Sequence, residues 1–178
     1  MQATSKALKI YTYGASILRK KTQPIFTVND SIRQLVYDMI HTMYEDDGIG
    51  LSANQVGEGI SLFVVGSAAF DDERGDSLFL NPNIVDMSEE TDIQEEGCLS
   101  IPGIRENVAR ALHIRFTWQD LSLIHHEETF SGYAARVIQH EYDHLQGIFF
   151  TDRISSVRKM FIRKKLSEIA ASQKAVIA

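Results

Sequence analysis

Residues 139–147 read QHEYDHLQG, and the two histidines spaced four apart constrain the fold more than any other feature. Four residues is just over one helical turn, so on an α-helix His140 and His144 stand on one face and can share a metal ion. The flanks agree with a helix. Ser131 and Gly132 precede it as a start and Gly147 follows as a C′ stop, while Ala134, Ala135, Ile138 and Leu145 supply a side to bury. Glu141 sits beside the first imidazole but angled away from the pair. That placement suits a general base acting on water at the metal, not a third ligand. The fold must therefore bring a third ligand to this helix and leave one position open. The bland alternative is an amphipathic helix with two surface histidines.

The chain has one cysteine, Cys98, so no intramolecular disulfide can form. A lone thiol is usually a small buried hydrophobe, but beside a two-histidine motif it is also the obvious soft ligand. Size and composition limit the remaining choices. At 178 residues with 44% hydrophobic and 24% charged content, the chain reads as one globular domain, 1–178. Its net charge of −6 argues against a DNA-binding surface, and no apolar run reaches the length of a membrane span. The opening MQATSKALKI has no secretory or transit pattern, which makes the cytoplasm the expected compartment.

Asp30 to Asp47 is the clearest amphipathic helix, with Ile32, Leu35, Val36, Met39, Ile40, Met43 and Tyr44 on one face. The loop GIGLSANQ at 48–55 follows. Its Gly50 permits a close backbone approach, and Gln55 carries two neutral donors. Strands are expected at Ile60–Val65 and at Leu78–Val85, the latter bent at Asn81-Pro82. Two more are expected at Val108–Asp120 and Ser122–Phe130. The acidic stretch Ser88–Glu96 reads as a solvated edge or turn. EGCLSIP at 96–102 carries the thiol, and the N–H of Leu99 would point near the metal. His125 and His126, adjacent on a strand, face opposite ways and are left out of the site. A C-terminal helix is expected over 155–172, with Val157, Met160, Phe161, Leu166 and Ile169 as its apolar side and Arg158, Lys159, Arg163, Lys164 and Lys165 making it basic. The fold class is α+β. Antiparallel sheets surround the metal helix, and the 30–47 and C-terminal helices pack outside.

GIGLSANQ, EGCLS and HEYDH, in this order and spacing, together resemble the peptide deformylase family over nearly the whole chain. The resemblance implies that Cys98, His140 and His144 bind a divalent metal, with water as the fourth ligand. It implies Glu141 as general base and acid, and Gln55 and the Leu99 N–H as oxyanion donors. Iron(II) is the native metal it implies, with zinc, nickel or cobalt able to replace it. The implied substrate is a nascent N-formylmethionyl polypeptide, with formate released. Ser52 stands where alanine is more frequent and Ser16 where proline is; neither is expected to touch the chemistry.

The helical stripe Tyr133, Val137, His140 and His144 places Tyr133 and Val137 beside the metal as walls of a slot for the methionine side chain, with Ile49 opposite. The backbones of Ile49, Gly50 and Gly97 are expected to pair with the substrate as an added strand. Arg105 is expected to face the rest of the peptide, and Glu96 to support a ligand. Resemblance to bacterial family members with such a helix implies a ribosome contact for the basic C-terminal helix, the alternative being a solvated basic face. Two rival functions remain. An HExxH zinc metallopeptidase would need a third ligand downstream, where Phe150 stands instead. A metal-stapled ribosome-binding module would need a closed site.

Overall fold

The structure, a computed structural model, describes residues 5–177, with side chains as far as residue 174. The first four residues of the stretch read above for targeting signals lie outside it. Helix α1, Asp30–Glu45, starts where Asn29 Oδ1 accepts the Ile32 N–H at 3.0 Å. Its apolar face, including Val36, Met39 and Met43, is buried against Leu51, Leu62, Val64 and Leu80.

Five strands form an antiparallel sheet in the order β1, β2, β3, β6, β7: Gly50–Ser52, Leu62–Val65, Ser77–Met87, His113–Gln119 and His125–Ser131. The expected bend at Asn81-Pro82 is a register shift between Leu80 and Asn83 in the pairing of β3 with β6, and Asn81 itself has φ +47°. Two strands form a separate hairpin, β4 (Thr91–Cys98) and β5 (Ile101–Ala111).

This hairpin refines one expectation and corrects another. The acidic stretch Ser88–Glu96, expected as a solvated edge or turn, does lie largely exposed, mostly on strand β4 of this two-stranded hairpin. Glu96, however, is buried, where its carboxylate is met by arginines from β5 and from the helix that follows β7. The single strand expected over Val108–Asp120 breaks at Leu112, because β5 pairs with β4 while β6 pairs with β3 and β7.

Helix α2, Gly132–Leu145, carries the histidine pair across the inner face of the large sheet. Ala135, Val137, Ile138 and Leu145 pack with Phe63, Phe79, Phe116 and Phe130. Gln139 pins the helix to the end of β5: its Nε2 donates to Ala111 O at 2.9 Å, and its Oε1 accepts from Ala111 N at 3.2 Å. The helix ends at Gly147, with φ +75°, where an added Cβ would fall 2.7 Å from Arg19 O. Only glycine fits such an approach at that φ without strain.

Helix α3, Ser156–Ile177, runs five residues past its expected end. Ile162, Leu166 and Ile169 pack on a third cluster with Leu18, Ile104, Phe149 and Phe150. Val157, Met160 and Phe161, expected on its buried side, are exposed instead. They flank the packed stripe and find no surface to cover.

Candidate metal centre and its cavity

β4 ends on Cys98, and the turn into β5 brings its sulfur to the helix. The Cys98 Sγ lies 3.2 Å from His144 Nε2, and one ligand atom each from Cys98, His140 and His144 fall within 4.8 Å of one another. No fourth His, Cys, Asp or Glu joins this group among the described residues. A cysteine sulfur and two imidazoles so placed would suit a soft or borderline divalent ion and would leave it open to a further ligand. The donor set fits the metal that the sequence called for.

The orientation of His140 has a visible cause. Glu96 Oε2 accepts its Nδ1 at 3.0 Å, which leaves Nε2 to face the sulfur. Burial pulls the His140 pKa down, but the neighbouring Cys98 sulfur and Glu96 overcome it and push it up to about 10. His144 goes the other way, well below its ordinary value, through burial and then the charge on His140. The sulfur and Glu96 thus favour positive charge on this side of the helix, where a cation would replace a proton.

Glu96 belongs to a buried ionic lattice. Its carboxylate accepts from Arg110 Nε at 2.8 Å and Nη2 at 2.9 Å, and from Arg136 Nη1 at 2.7 Å. Arg110 Nη1 continues to Asp143 Oδ2 at 2.5 Å, and Arg136 Nη2 to Asp92 Oδ1 at 2.6 Å. Arg136 and Asp143 are on α2, Glu96 and Asp92 on β4, Arg110 on β5. The lattice therefore ties the element bearing Cys98 to the element bearing both histidines. Burial raises the Glu96 pKa, but the hydrogen bonds from Arg110 and His140 hold the carboxyl well below its ordinary range.

A cavity of about 810 Å³ opens over Cys98 and His140. Glu141 lines it, 4% exposed. Burial pushes its carboxyl above the ordinary range, against the opposing pull of His140 and a hydrogen bond from Ser52. Gln55 and the turn residue Leu99 line it too; Gln55 Nε2 donates to Ser100 Oγ at 3.1 Å and approaches Cys98 Sγ at 3.6 Å. Tyr133 and Val137 line it from α2, and Ile49 and Gly50 line it from the start of β1. Gly97 and Arg105 border the cavity from the hairpin, where Arg105 pairs with Glu95 at 3.4 Å. Every residue singled out in the sequence lines this space except His144, which is buried beneath it.

Six further residues act here that the sequence did not single out for the site. Arg110, Arg136, Asp143 and Asp92 complete the lattice. Asn54 Nδ2 holds the His144 carbonyl at 2.6 Å. Ser52, expected to stay clear of the chemistry, puts its hydroxyl 2.6 Å from Glu141 Oε2. A sequence signal existed for the arginines, since each interrupts a buried apolar phase; for Ser52 there was none.

The comparisons point one way. The model of the polypeptide deformylase family matches residues 7–160. A peptide deformylase of Pseudothermotoga lettingae is 44% identical over 161 residues, covering 90% of this chain and 91% of that protein. Among solved structures, the peptide deformylase of Plasmodium falciparum superposes with a TM-score of 0.88 at 34% identity, covering 96% of this chain and 99% of the other. That of Thermotoga maritima gives 0.79 at 39% identity, covering 84% and 99%.

Proposed function

The chain belongs to the peptide deformylase family and is a hydrolase that removes the formyl group from N-formylmethionine, and we propose that it does so at a metal held by Cys98, His140 and His144. The observation that carries this assignment is the convergence of three ligand atoms with no fourth, beside a buried carboxylate that lines a cavity. A structural site would be closed by four protein ligands.

A divalent ion held by Cys98, His140 and His144 would supply Lewis acidity, enough to make a water molecule acidic near neutral pH. Glu141 takes the proton of the attacking water and returns one to the departing amine. Gln55 Nε2 and the Leu99 N–H donate to the formyl oxygen as its charge grows, each contributing about 3 kcal/mol. Tyr133, Val137 and Ile49 take the methionine side chain. The backbones at Ile49, Gly50 and Gly97 take the peptide as an extra strand; β1 is an edge of its sheet and β4 has only one partner, so each has a free side. Arg105 faces the residues beyond. Iron(II) is the native ion in this proposal, and the same ligands accept zinc, nickel or cobalt.

Protein purified without oxygen should carry close to one iron per chain and release formate from formyl-Met-Ala. It should leave acetyl-Met-Ala and casein intact. Casein hydrolysis without formate release would overturn the reading in favour of a metallopeptidase.

The whole chain acts as one catalytic domain in the cytoplasm, on nascent chains. No helix among the described residues is long and apolar enough to cross a membrane. The basic α3 is assigned to a ribosome contact, supported by the exposed Arg163 and Lys164, which have no side-chain partner among the described residues, and by exposed Met160 and Phe161. Deleting α3 would uncover the cluster under Leu166, so charge reversal is the cleaner test. Arg163→Glu with Lys164→Glu should release the protein from sedimenting ribosomes and spare hydrolysis of formyl-Met-Ala; unchanged sedimentation would end this assignment.

A further inference from the structure

Ser52 closes β1 and leads into the 3-10 turn Ala53–Val56, with none of its surface exposed. Its Oγ lies 2.6 Å from Glu141 Oε2 and 3.0 Å from Glu141 O. A hydroxyl has one proton to donate, and the shorter contact is to the carboxylate. Among the described residues this is the only direct hydrogen bond to that carboxylate. The other oxygen, Oε1, lies against Gly50, where an added Cβ would come within 2.5 Å of it. The same residue also fixes Gln55. The Ser52 N–H donates to Gln55 Oε1 at 2.8 Å. An N–H can face only an acceptor, so the Gln55 amide is turned with its NH2 towards Ser100 and Cys98.

We propose that Ser52 is a positioning residue for the hydrolysis. Its side chain pins Oε2 of the base, which assigns proton transfer to Oε1. Its main chain decides which end of Gln55 is offered to the oxyanion. This rests on the site assigned above, and it puts two parts of the machinery under one buried residue that contacts neither substrate nor metal ligand.

Ser52→Ala removes only the hydroxyl and keeps the N–H that holds Gln55. The expected result is a kcat lower by about 3- to 10-fold, the net size of one lost hydrogen bond, with KM within about twofold. Metal content should be unchanged. Ser52→Thr, which restores a hydroxyl, should recover most of the loss, and Ser52→Cys should not. Independently of turnover, the Glu141 carboxylate stretch in zinc-loaded protein, isolated by subtracting the Glu141→Gln spectrum, should shift in Ser52→Ala. A wild type that releases no formate would overturn the site assignment and this inference with it. An active wild type, an inactive Glu141→Gln and a Ser52→Ala variant with unchanged kcat and infrared band would overturn this inference alone.

Discussion

Glu141→Gln should lose 10²- to 10⁴-fold in kcat, the range typical of a removed general base, while keeping a full complement of metal. Two features of the site make these effects separable. Glu141 is outside the group of ligand atoms, so Cys98, His140 and His144 still converge in the variant. Glutamine is nearly isosteric and can still meet the Ser52 hydroxyl, so the 2.6 Å contact does not become a void. What the variant lacks is a group that can take a proton. Burial already raises the affinity of Glu141 for one, which suits a carboxylate that must receive a proton and pass it on. Metal analysis and steady-state kinetics on the same preparation check the expectation. A loss of less than about tenfold would move the base elsewhere. Loss of the metal would mean that Glu141 supports the ligands instead.

The parts of this site that could be read from sequence are those fixed by local periodicity. His140, Glu141 and His144 are set by the helix alone, and the helix is marked by its own apolar side and by Gly147. Cys98 stood out because it is the only thiol. Gln55 and Leu99 are different: a neutral amide in a glycine-containing loop looks like any loop, and their roles came from resemblance to a family. The hairpin β4–β5 was half missed for an electrostatic reason. Charge in a sequence reads as solvated surface, yet Glu96 and Arg110, 14 residues apart, meet with their side chains 6% and 2% exposed. The warning was visible at Arg110, in phase with Val108 on an alternating strand, and at Arg136, between Ala135 and Val137 in the packed helix. A charge on a buried phase implies a partner charge, but sequence does not say which one. Val157, Met160 and Phe161 of α3 failed in the opposite sense, since a short apolar run such as Met160-Phe161 carries no information on whether a surface waits for it.

Arg110→Ala should be the most destabilising single change at the site. The guanidinium is bound on three nitrogens, to both oxygens of Glu96 and to Asp143, in a place without solvent. Removing it takes the shared, fully buried guanidinium from two buried carboxylates, so that Glu96 keeps only Arg136 and His140 and Asp143 only the half-exposed Arg153. Breaking such a network costs roughly 3–5 kcal/mol, and in a domain of this size Tm should fall by roughly 6–20 °C. Lysine should rescue poorly, because an ammonium cannot span both carboxylates with a flat fork of donors. A melting temperature within about 2 °C of wild type would show that the lattice adds little to stability. The metal should respond separately, since Glu96 orients His140 and Asp143 precedes His144; affinity should fall by roughly 10- to 100-fold. Replacing Arg110, Glu96 and Asp143 together by apolar residues of similar volume should recover stability, because the two under-neutralised carboxylates are then gone as well and the buried Arg136 keeps Asp92. It should not recover metal affinity, because His140 Nδ1 has lost its acceptor. If both recover together, the lattice serves only to join α2 to the hairpin. If only stability does, its charges are there to aim an imidazole.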